Sequence, residues 1–88
     1  MNTANESMQN IIGLPVYTNR GIFVGYVYDI ILEMDYGGIS GILIKETNEV
    51  LVEDGFPISI PYDWVKAVGD AVLLHTFPQV VKRKLMPM

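Results

Sequence analysis

The residues that could do nucleophilic or acid–base chemistry begin with His75, the one histidine, and there is no cysteine. A nucleophile needs an imidazole or another base within hydrogen-bond reach, itself oriented by a third group. His75 sits between Leu74 and Thr76, and the sequence places no acid or second ligand at a familiar spacing from it. It reads as a strand residue, not a base or a metal ligand. Glu46, Glu49, Glu53 and Asp54 are the densest acidic group. Hard cations take oxygen ligands, but the alternating pattern of a calcium loop is missing. The group reads as a solvated loop able to steer a basic partner. The glycines fit neither a dinucleotide fingerprint nor a phosphate loop. No catalytic, cofactor-binding or metal-binding residue is assigned, and no cofactor is expected.

Three other positions carry more information. Asp29 lies inside an apolar run, between Tyr28 and Ile30. A carboxylate buried there needs hydrogen-bond donors, so Asp29 is expected to accept backbone N–H groups from across the domain. Tyr26 and Tyr28 are two apart on a strand and share a face. Tyrosine offers large contact area at low entropy cost and is favoured at interfaces. Tyr26, Tyr28, Phe23 and Tyr36 are therefore the candidate partner surface, with core packing as the alternative for the two tyrosines of the strand. Trp64 reads as core, and Asp63 as a cap for one helical turn.

The elements that hold these residues are short. From Ile11 to Phe77, apolar runs alternate with Gly, Asn, Asp and Pro, which predicts many strands joined by tight turns. No window shows a sustained 3.6-residue apolar period, so a long helix is not expected. The strands are placed at 14–17, 23–34, 39–46, 56–60, 67–68 and 71–77, with a further short one conceivable at 50–52. The run 23–34 is long and apolar on both faces, which predicts a bent strand serving two parts of the sheet. Gly25 is the predicted bulge, and Gly41 the predicted point of close backbone approach. Pro61 ends a strand or lies on an edge, and Gly69 makes a turn. Six strands without a βαβ pattern predict an all-β fold: a small six-stranded barrel with at most one short helical turn. Closure would also remove exposed strand edges. The organisation reads as a flexible segment over 1–10, one domain over 11–78 and a tail over 79–88 that contains Lys82, Arg83 and Lys84.

Composition narrows the function. Half of the 88 residues are hydrophobic, a large share for so small a domain. A small barrel cannot hide all of them, and an exposed apolar patch marks an interface. Acids outnumber bases 10 to 6, for a net charge of −4, which argues against nucleic acid as a partner. No apolar run approaches the roughly 20 residues of a membrane span, and the first ten residues do not read as a signal peptide. The expected location is the cytoplasm.

Taken in order, Gly13-x-Pro15-Val16-Tyr17, Gly21-x-x-Val24-Gly25-x-Val27-x-Asp29, Ile39-Ser40-Gly41-Ile42 and Ile60-Pro61-Tyr62-x-x-Val65-x-x-Val68-Gly69-Asp70-x-Val72 form a set whose order and spacing agree together. The chain resembles the PRC-barrel family over about 12–75. That resemblance implies a six-stranded barrel without catalytic residues. The family occurs in the photosynthetic reaction-centre H subunit, in ribosome maturation factors and as short archaeal proteins, and this chain looks most like the last. The resemblance implies a homodimeric adaptor in archaeal cell division, possessing a link to SepF, the membrane anchor of the FtsZ ring, and located at the division site. The alternative it implies is an accessory protein of ribosome maturation or RNA processing.

Overall fold

A computed structural model describes residues 11–35 and 37–82. Its six strands are β1 (Pro15–Tyr17), β2 (Phe23–Leu32), β3 (Ile39–Ile44), β4 (Ile58–Pro61), β5 (Val65–Val68) and β6 (Val72–Leu74). They form one sheet in the order β4-β3-β2-β1-β6-β5. All pairs are antiparallel except β1 with β6. The closed barrel expected from the sequence is not formed: β4 and β5 are the two edges, and among the described residues no ladder joins them. The chain passes from β4 into β5 through a 3-10 turn, Tyr62–Trp64. This turn and a second one at Glu53–Gly55 replace the single helical turn expected.

β2 is divided between two neighbours. Its first part, Phe23 to Tyr26, pairs with β1, and its second part, Val27 to Leu32, pairs with β3. One bulge lies within the pairing with β1 and another at the start of the pairing with β3. Phe23 and Gly25 oppose the consecutive residues Tyr17 and Val16, so Val24 is the extra residue there. Val27 and Asp29 oppose Ile44 and Leu43, so Tyr28 is extra there. An inserted residue bends the strand and increases its twist, and β2 therefore serves both halves of the sheet. The glycine at the first bulge is required: Gly25 has a φ of +155° and lies against Ile44 and the Glu46 carbonyl.

Where β3 leaves the first part of β2, Asn48 takes its place. Asn48 donates its backbone N–H to Val24 O at 2.8 Å and its side-chain Nδ2 to Phe23 O at 2.7 Å. Its Oδ1 accepts from Val50 N–H at 2.9 Å. This anchors the segment between β3 and β4, whose Leu51 and Val52 are buried. No strand forms at 50–52, where the pairing is a single parallel bridge, Val52 with Val81. The ordered chain thus continues past 78, into the region read as tail.

The core is aliphatic. Val16, Val24, Val27, Ile42, Ile44 and Ile60 form its centre, with Leu51, Val52, Val72, Leu74 and Phe77 around them. Thr18 is buried among the polar residues, and its hydroxyl accepts the backbone N–H groups of Arg20 and Ile22 in the turn after β1. At the centre of the sheet Gly41 faces Ile60 O, 3.0 Å from where a Cβ would lie. Pro61 ends β4 on the sheet edge, opposite Gly41.

Candidate docking face

The alternation of β2 determines which side chains face outward. Val24 and Val27 are buried, whereas Tyr26 and Tyr28 are 61% and 54% exposed. The second bulge then shifts the pattern by one residue. Strict alternation would turn Asp29 inward together with Val27. The extra residue leaves Asp29 exposed and brings Ile30 against the core instead. Asp29 is therefore not the buried acceptor expected: its Oδ1 accepts the N–H of the next residue, Ile30, at 2.8 Å. It reaches nothing across the sheet.

The outward side chains form a continuous aromatic strip. The Tyr17 and Phe23 rings lie 5.8 Å apart, and Phe23 meets Tyr26 edge-on at 5.1 Å. Such tilted pairs favour a fixed ring geometry. Lys45, on the far side of Tyr28, holds its Nζ 4.9 Å from that ring's centre, a cation–π contact. Between this strip and residues 45–48 runs an open groove of about 740 Å³, floored by Gly25 and Val27 and walled by Tyr26, Tyr28 and Lys45 to Asn48. Ile31, Leu32 and Met34, toward the β2–β3 turn, are also exposed. Tyr36, the fourth candidate, lies outside the described residues, as do residues 1–10 and 83–88. Gly69 lies in the exposed turn between β5 and β6.

Sequence reasoning missed a second concavity. Phe56, Ile58, Trp64, Phe77 and Val81 line an apolar groove of about 390 Å³ beside the free edge of β4. Trp64 is half-buried here and meets Phe77 edge-on at 6.2 Å. It packs against the core from this wall. The signal in the sequence was Phe77-Pro78, an aromatic followed by a strand breaker.

The remaining candidates are structural in their contacts. His75 donates Nε2–H to the Asp63 carbonyl at 2.7 Å, and its backbone N–H to Trp64 O at 2.9 Å. It ties β6 to the 3-10 turn. The Asp63 side chain caps nothing. Among the described residues no three His, Asp or Glu side chains are grouped to hold a metal ion, and no helix is long and apolar enough to cross a membrane. What the outer face of β2 can do chemically is bury aromatic and aliphatic surface against another molecule, with Lys45, Glu46 and Asn48 at the rim for polar contacts.

No curated protein matches the chain. The family model of the PRC-barrel domain matches residues 5–81. Six β-strands and a bent second strand accord with that match, and the chain belongs to the PRC-barrel domain family.

Proposed function

We propose that this protein is a non-enzymatic adaptor that binds other proteins through the outer face of β2. Membership of the family supports the general statement, since the PRC barrel is a small, non-catalytic interaction module. The observation that carries the specific one is the exposure of Tyr26 and Tyr28 beside an open groove, while the core behind them is filled by aliphatic side chains. Two large rings left in water are a surface ready to be desolvated.

The finer reading is a homodimer in archaeal cell division that links to a SepF-like protein of the FtsZ machinery and is found at the division site. Its support is the likeness in motif order to the archaeal members, together with the exposed Tyr26 and Tyr28 on the outer face of β2. Capture from native cells tests it. A SepF-like protein recovered with the wild-type chain and lost with Tyr26→Ser/Tyr28→Ser supports the adaptor. Ribosomal proteins recovered equally with both chains overturn it.

A further inference from the structure

We propose that the end of the β2–β3 hairpin is a second docking element: an arm that enters an apolar cleft with a Lys- and Arg-rich rim on another protein. The arm is separate from Tyr26 and Tyr28, so their face stays open for the association of two copies.

The alternation of β2 carries the first part of the argument. Neighbouring residues of a strand point to opposite faces of the sheet. Ile30 packs against the core, but Ile31 and Leu32 after it are 40% and 50% exposed. Both faces of the strand are thus open from Ile31 onward, and the hairpin end stands beyond the core. Met34 follows at 92% exposure. At Gly37, in the turn, an added Cβ would meet nothing within 4 Å. The arm is nevertheless held in one shape. Glu33 N–H donates to Gly38 O at 2.7 Å, Gly37 N–H to Glu33 O at 2.8 Å, and Ser40 Oγ–H to Ile31 O at 3.2 Å. An element already ordered loses less freedom on binding. Apolar side chains on both faces of a projecting arm are desolvated together only between two walls, since a flat surface would cover one face. Met34, flexible and apolar, suits the floor of such a cleft.

Charge supplies the second part. Asp29 and Asp35 are exposed and Glu33 is half-buried, and no Lys or Arg lies between Ile22 and Ile44. Complementary charge steers encounter and fixes register, so the rim that receives this arm is basic. A second copy is a poor source of that rim. Its cations among the described residues are Arg20, Lys45, Lys66 and Lys82, which stand on four separate segments.

The test replaces Met34 of the full chain by the photo-crosslinking residue benzoylphenylalanine and irradiates the chain in extract of its native cells. The proposal expects an adduct with a different protein. Fragment masses should place the link among apolar residues flanked by Lys or Arg. Its yield should fall several-fold when salt is raised from about 0.05 M to about 0.5 M. It should fall likewise when the chain also carries Glu33→Lys and Asp35→Lys, with the melting temperature unchanged. An adduct formed only with another copy of this chain, no adduct, or a yield indifferent to both salt and charge reversal overturns the proposal. None of these results alters the sedimentation of Tyr26→Ser/Tyr28→Ser, so failure of the arm and failure of the tyrosine face are told apart.

Discussion

At Gly25 a methyl group would sit 2.6 Å from Ile44 Cγ2 and 2.7 Å from Glu46 O, on a backbone with φ of +155°. Both the contact and the dihedral oppose any side chain. Gly25→Ala is expected to lower stability by roughly 2–4 kcal/mol, measured by denaturant unfolding. Asp29 marks the opposite case. Being exposed, with only its neighbour's N–H to accept, Asp29→Ala is expected to change stability by less than about 0.5 kcal/mol. A loss of several times that figure contradicts the exposed placement. The two residues also differ in how readable they were. A glycine within an apolar strand announces a backbone requirement by its type alone. The fate of Asp29 depended on a bulge one residue earlier, and a bulge inserted at Tyr28 leaves no mark in the residue types of Val27 to Ile30.

The strands were legible from apolar runs and turn residues, because each short run meets the period of a half-buried strand. Their ends were less so: β3 stops at Ile44 rather than at 46, since the next residues turn away to follow Asn48 across β2. That crossing is a long-range event between residues some 25 positions apart, and local pattern does not encode it. Asn48→Ala removes the bond to Phe23 O and the turn bond from Val50, and is expected to cost about 1–3 kcal/mol in a thermal or chemical melt. The docking of Val81 on Leu51 and Glu53 was hidden for the same reason. Val81→Pro deletes the N–H given to Leu51 O. The outcome expected is faster amide hydrogen exchange at Glu53, whose N–H is held by Val81 O, while the β2 and β3 amides stay protected.

At the level of the molecule, the apolar content foretold that surplus hydrophobic side chains would lie outside. Tyr26, Tyr28, Leu32 and Met34 do so. The open sheet was not foretold. Closure would require β4 to pair with β5, yet the chain between them is only the turn Tyr62–Trp64, and it hands each strand to a different edge. The central claim is that the face bearing Tyr26 and Tyr28 exists for association and not for folding. Sedimentation equilibrium of the wild-type chain and of Tyr26→Ser/Tyr28→Ser, each with its melting temperature recorded, tests it most directly. The account predicts a self-associating wild type and a monomeric variant that melts at nearly the same temperature. A variant that unfolds, or a wild type that stays monomeric at high micromolar concentration, contradicts it.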